Sequence, residues 1–295
     1  MQRVQLSEIN FRDPFILPVP EERRYYLCGT LGAGCWHGRP EGFDCYVSAD
    51  LKEWEGPIPA FRPAPDFWAD RSFWAPEVHR YCGRYCLFAS FKADGVCRGT
   101  QILAADKPVG PFVPLSAGPV TPRDWECLDG TLFVDEKERP WMVFCHEWVQ
   151  VHDGEMRAML LSEDLSRALG DPVLLFHASD APWSVSLSAG KGDFVTDGPF
   201  LHRAANGELL MLWSTLGQGG SYLQGVARSA SGKITGPWQQ DPEPLYAGDG
   251  GHGMLFRTFE GRLMLALHTP NKTPDERPLL LPMREQDGWL VMVGL

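Results

Sequence analysis

A chain of 295 residues leaves room for two domains or one large repetitive domain, since single domains cluster near roughly 100–150 residues. With 44% hydrophobic and 22% charged residues, it has enough apolar material for a sizeable core and too little charge for a disordered chain. The formal net charge of −11, uninterrupted by any basic run, argues against nucleic acid and anionic membrane as partners and for a neutral or cationic ligand.

Glycine and proline, 31 and 25 residues, make up about a fifth of the chain against a background of about 12%, which favours many turns over long helices. No stretch approaches the roughly 18 consecutive apolar residues of a membrane span, and the opening decapeptide lacks the apolar block of a secretory signal. The location expected is cytoplasmic. Eight cysteines, at 28, 35, 45, 82, 86, 97, 127 and 145, form no CxxC pair and no metal-finger spacing. They read as reduced, mostly buried thiols.

In chain order, five apolar runs of strand length recur: Tyr25-Tyr-Leu-Cys-Gly-Thr30, Tyr85-Cys-Leu-Phe-Ala-Ser90, Trp141-Met-Val-Phe-Cys-His146, Leu210-Met-Leu-Trp-Ser-Thr215 and Leu263-Met-Leu-Ala-Leu-His268. Each follows a short polar turn and, before that, another apolar strand, which makes five β-hairpins. The leading strands open with Asp13-Pro-Phe-Ile, Ala75-Pro-Glu-Val, Asp129-Gly-Thr-Leu-Phe, Asp197-Gly-Pro-Phe-Leu and His252-Gly-Met-Leu-Phe. A third strand ending in Gly-Pro follows in three units, at Gly56-Pro57, Gly110-Pro111 and Gly236-Pro237. Five such units predict an all-β fold, a five-bladed β-propeller with blades of about four antiparallel strands around a central channel. The whole of 1–295 is read as one domain, because no low-complexity linker divides it. Residues 155–169 also have the composition of an amphipathic helix, but the repeat assigns a strand there.

The innermost strands of a propeller gather at the mouths of its channel, so Asp13, Glu77, Asp129, Asp197 and His252 are expected around one mouth. Like charges in a channel cannot all ionise freely. One carboxyl should keep its proton near neutral pH while another stays charged, which supplies a general acid and a general base together. Paired carboxyls suit glycoside hydrolysis. Sugars also need apolar platforms, and of 11 tryptophans, Trp74, Trp125 and Trp148 flank the expected site while Trp36 and Trp183 lie in loops. The expected walls are the loops 31–42, 62–72, 178–193 and 217–221.

Phe11-Arg-Asp13-Pro-Phe, Trp74-Ala-Pro-Glu77-Val, Leu128-Asp129-Gly-Thr-Leu-Phe and Thr196-Asp197-Gly-Pro-Phe together resemble glycoside hydrolase family 43 across essentially the whole chain. The resemblance implies a five-bladed propeller enzyme acting with inversion, mostly as an α-L-arabinofuranosidase, β-xylosidase or arabinanase. It implies Asp13 as general base and Asp129 as the carboxylate that orients the acid and tunes its pKa. The family's acid is a Glu at the start of the fourth blade. Here Asp197 stands at that position, one methylene shorter, and Glu147 is the nearest spare carboxylic acid. Family members often place a His near the axis beside water or calcium, so His252 is the candidate for a structural calcium, with no cofactor required for the reaction.

The leading expectation is thus a glycosidase acting on a pentose-containing oligosaccharide, an α-L-arabinofuranoside or β-D-xyloside, with Trp74, Glu77, Trp125, Trp148, His252 and Arg257 binding substrate. One rival is a propeller glycoside phosphorylase, whose phosphate would need a cationic cluster such as Arg12, Arg257 and His252. The other is a non-catalytic sugar-binding propeller, suggested by the shortened side chain at 197. Nothing in the sequence fixes an oligomeric state.

Overall fold

A computed structural model describes residues 2–36, 40–188 and 190–294. Its strands form five antiparallel sheets in a ring, a five-bladed β-propeller. Blade one orders its strands from the axis outward as Phe11–Val19, Arg24–Leu31, Phe43–Ser48 and Glu53–Phe61, with the N-terminal Gln2–Gln5 added outside. Blade two runs Arg71–Tyr81, Arg84–Ala93, Val96–Ala105 and Val113–Pro114. Blade three runs Cys127–Val134, Pro140–His146, Glu155–Leu161 and Ala168–His177, so the stretch 155–169 is a strand, a turn and the start of the next strand rather than a helix. Blade four runs Asp197–Arg203, Leu209–Leu216, Tyr222–Ser229 and Gln239–Gln240. Blade five runs Gly251–Arg257, Leu263–Thr269, Arg277–Gln286 and Trp289–Met292.

The repeated apolar runs are the second strands, and their lack of polar alternation has a direct cause. Each is sandwiched between two neighbouring blades, so both of its faces are buried. In blade four Leu209, Met211 and Trp213 pack into the core shared with blade three, whereas Leu210 and Leu212 pack into the core shared with blade five. The period of two survives as a choice of neighbour.

Two sequence expectations change here. Cys28 and Cys45 face each other across the second and third strands of blade one and form a disulfide, their Cα atoms 4.7 Å apart. The expectation of eight reduced thiols therefore fails at this pair, because residues 17 apart in sequence become direct cross-strand partners. In the predicted wall 62–72, Phe67 and Trp68 instead turn against the core of blades one and two, and none of its residues lines the cavity described below.

Candidate active site

Each innermost strand carries a β-bulge at the same place. The register breaks between Arg12 and Phe15, Trp74 and Glu77, Leu128 and Thr131, Asp197 and Phe200, and Gly251 and Met254. The residue after the first of each pair has positive φ: Asp13 at 51°, Ala75 at 48°, Asp129 at 56°, Gly198 at 52° and His252 at 51°. Left-handed backbone is costly for residues with a side chain, and its fivefold repetition marks a bulge that re-aims side chains toward the axis. Gly198 is glycine for a second reason, since a Cβ there would meet His252 Cγ at 2.7 Å.

The bulge sets the levels of the site. Asp13, Asp129 and His252 lie at one level of the axis, with Ala75 and Gly198 completing the ring. Asp197 sits one position earlier in its strand, and Glu77 two positions further along. Strand starts alone put all five at one level, but those starts do not coincide with the bulge.

A cavity of about 290 Å³ opens over this ring, lined by Asp13, Asp129, Asp197, Glu147, His252, Trp74 and Trp148, all expected there. Three other expected site residues lie outside it. Glu77 is buried deeper, bonded to His79 Nε2 at 2.8 Å. Trp125 stacks on His146 with ring centroids 4.2 Å apart and under the Arg157 guanidinium, which occupies its faces. Arg257 ends its strand at the opposite end of the channel, exposed and paired with Glu285. The cationic cluster that a phosphorylase would need therefore loses Arg257, and Arg12 is already engaged by Glu276.

Asp13 is held from several sides. Thr30 Oγ1 donates to its Oδ2 at 2.6 Å, His252 Nδ1 lies 3.2 Å from Oδ1, and its own N–H donates to His268 Nδ1 at 3.1 Å. Burial raises its pKa, but the neighbouring His252 and Arg12 and the Thr30 bond outweigh burial and hold the carboxyl below its ordinary value. Burial lowers the His268 pKa to about 4, so this imidazole is neutral near pH 7 and free to accept the Asp13 N–H. Asp197 receives a hydrogen bond from the Tyr222 hydroxyl at 3.1 Å. Its burial, with Asp129 close by, pushes its pKa up to about 7. Asp129 is raised well above the carboxylate range, first by burial and then by the charge of Asp13, against an opposing bond from the Gly198 amide at 3.0 Å. Glu147 is tied to Arg98, whose guanidinium stacks 4.2 Å from the Trp74 ring.

Several lining residues escaped the sequence reading. Arg98 enters from blade two, Tyr222 from blade four, and Asn271 and Thr273 from the loop after the second strand of blade five. Trp36, expected only as a loop aromatic, is half exposed and held on three sides. Its Nε1 donates to Thr273 Oγ1 at 2.8 Å, Trp74 meets it edge-on at 5.1 Å, and Arg12 lies 5.0 Å from its ring. Residues 37–39 and 189 of the predicted wall loops lie outside the described residues. Trp183 packs beneath Trp213 and against Gly225 rather than over the cavity. Among the described residues no group of three or more His, Cys, Asp or Glu side chains is arranged to hold a metal ion. The His252 Nδ1 lies 3.2 Å from Asp13 Oδ1 and 3.7 Å from Asp129 Oδ2, and this set does not fit the six to eight oxygens that calcium takes.

A five-bladed propeller with three buried carboxyls at its axis, one whose surroundings favour its charge and two pushed toward the protonated form, beneath tryptophan walls, is the constellation of a glycosidase. The family model for glycosyl hydrolases family 43 matches residues 6–290, and the chain belongs to that family. Among solved structures, an endo-arabinase from Bacteroides thetaiotaomicron VPI-5482 is 44% identical with a TM-score of 0.90, covering 97% of this chain and 98% of that one. An α-L-arabinofuranosidase from Lactobacillus brevis, 17% identical with a TM-score of 0.75 over 96% and 95% of the two chains, shares the fold. So does an endo-1,4-β-xylanase from the same Bacteroides strain, at 22% identity and a TM-score of 0.77 over 100% and 97%. No curated protein has a sequence that matches this chain.

Proposed function

We propose that the protein hydrolyses α-L-arabinofuranosyl linkages of an oligosaccharide with inversion, using Asp13 as base, Asp197 as acid and Asp129 to orient and tune the acid. One observation carries the assignment. Asp197 lies where two cavities meet, whereas Asp13 and Asp129 line only the first. The second cavity, about 380 Å³, is walled by Trp36, Val195, Leu216, Tyr222, Asn271 and Thr273. A general acid must stand between the sugar that is attacked and the group that leaves. The first cavity then holds the attacked sugar against Asp13, and the second holds the leaving portion beyond Asp197. Glu147 lines the first cavity only and is committed to Arg98.

In the step itself Asp13 takes a proton from water as the water oxygen bonds to the anomeric carbon. The bond to the leaving oxygen breaks while Asp197 delivers its proton there. The step ends with Asp13 protonated and Asp197 ionised, and proton exchange with solvent restores both. The arabinofuranosyl choice is supported by the 44% identity to a protein described as an endo-arabinase. The second cavity has room for further sugar units, as internal cleavage requires.

The test is hydrolysis of linear arabino-oligosaccharides in phosphate-free buffer, with the first product anomer read by proton NMR. Turnover with inverted configuration, abolished in Asp13→Asn without loss of fold, is expected. Retention of configuration, or turnover only with added phosphate, would overturn the reading, and so would Asp13→Asn activity within tenfold of wild type.

A further inference from the structure

Where neighbouring blades meet at the axis, one side chain of a second strand faces the bulge of the next blade. The register identifies these residues as the partners of Arg12, Trp74, Leu128, Asp197 and Gly251, namely Thr30, Ser90, Cys145, Ser214 and His268. Four of them accept the bulge amide of the following blade. Thr30 Oγ1 takes the Ala75 N–H at 2.7 Å, Ser90 Oγ takes Asp129 at 2.8 Å, Ser214 Oγ takes His252 at 2.8 Å, and His268 Nδ1 takes Asp13 at 3.1 Å. The fifth is Cys145, fully buried, whose sulfur is a weak acceptor. At that junction the bulge amide of Gly198 turns instead to Asp129 Oδ2, at 3.0 Å.

We propose that Cys145 is a positioning residue for Asp129: by offering no strong acceptor at the junction of blades three and four, it leaves the Gly198 N–H to hold the Asp129 carboxylate. A Ser or Thr there, as at two and one of the other junctions, would capture the Gly198 amide of blade four and take that donor away from Asp129. The thiol itself does not compete as an anion, because burial raises its pKa well above the ordinary value. The groups facing Asp129 from the five blades are Asp13, Glu77, Glu147, Asp197 and His252. Four of these are carboxyls, so the Gly198 bond is one of few contacts that favour the ionised form. Loss of that bond raises the Asp129 pKa. Asp129 and Asp197 titrate as a coupled pair, so a change at Asp129 also moves the apparent value at Asp197.

The inference rests on the roles assigned above, and paired variants separate the two. In Cys145→Ser the alkaline limb of kcat/KM moves from its wild-type position by about 0.5 unit or more. In Cys145→Ala, which removes the sulfur but adds no acceptor, the limb stays where it is in wild type even though the protein is less stable. Carboxyl 13C titration needs no turnover and should show the Asp129 resonance moving to higher pH in Cys145→Ser alone. Should Cys145→Ser fail to fold, Cys145→Thr carries the same test. Superimposed titrations for Ser, Ala and wild type, or equal shifts in Ser and Ala, would overturn the positioning role. If Asp129→Asn retains hydrolysis, the assigned reaction fails instead, while the titration still decides the role of Cys145.

Discussion

Asp13 and Asp197 are both buried carboxyls, yet their surroundings divide them. Asp13 collects Thr30, His252 and Arg12, which favour its charge, while Asp197 has the Tyr222 hydroxyl and faces two other carboxyls. The base must be ionised, so activity is present above the lowered Asp13 pKa and disappears as pH falls through it. The acid must be protonated, so activity disappears as pH rises through about 7. A bell-shaped kcat/KM profile with an alkaline limb near neutrality is expected, and a profile still flat at pH 9 would remove Asp197 as the acid. Asp197→Asn should depress substrates with poor leaving groups by about a hundredfold or more and spare activated aryl arabinofuranosides, since only the former need a proton on the leaving oxygen. Glu147→Gln should instead act mainly on KM, by freeing Arg98 from its place over Trp74. Exchange of these two phenotypes would transfer the acid role to Glu147.

At the scale of strands and loops, function depends on the bulges and on what surrounds the mouth. The hairpin repeat was legible because second strands are buried on both faces and so read as unbroken apolar runs. Asp13, Asp129 and His252 were legible because each follows the same strand-opening pattern. Glu77 was misplaced because a bulge shifts the level of a side chain without changing the local pattern, and only the pairing register shows the shift. Arg98, Tyr222, Asn271 and Thr273 were not legible, since they converge from three blades and carry no local motif. Trp36 shows what such convergence produces: a half-exposed ring fixed by Thr273, Trp74 and Arg12 that walls both cavities. On the proposed placement of substrate across both cavities, Trp36→Ala should cost about tenfold or more in kcat/KM on arabino-oligosaccharides, an amount consistent with roughly 1–3 kcal/mol of lost stacking. An aryl arabinofuranoside, with a small leaving group, should lose less. Equal losses on both would confine Trp36 to the first cavity.

For the whole molecule the decisive feature is how the ring closes. The N-terminal strand joins blade one and the C-terminal strand joins blade five, so no blade is shared between the chain ends. The seam is held by side chains instead. Arg12 pairs with Glu276 at 2.7 Å and with Asn271 at 2.8 Å, Asn10 donates to the Pro274 and Glu276 carbonyls, and Tyr25 accepts the Phe259 N–H beside a stacked ring. Site residues stand on both sides, with Asp13 in blade one and His252 and His268 in blade five. Stability at the seam and geometry at the site are therefore coupled. The Glu276 side chain is fully buried, so Glu276→Ala leaves the Arg12 charge with a lost partner, at a cost of about 3–5 kcal/mol. For a chain of this length that is a fall in Tm of roughly 5–8 °C. Leu103→Ala, in the core between blades one and two, should cost a comparable 2–5 kcal/mol or so but leave kcat at 25 °C close to wild type. Glu276→Ala should lower kcat at that temperature as well, because Arg12 lines both cavities and adjoins Asp13. Thermal unfolding and kinetics of the two variants side by side measure the difference, and equal kcat in both would show that the seam serves stability alone.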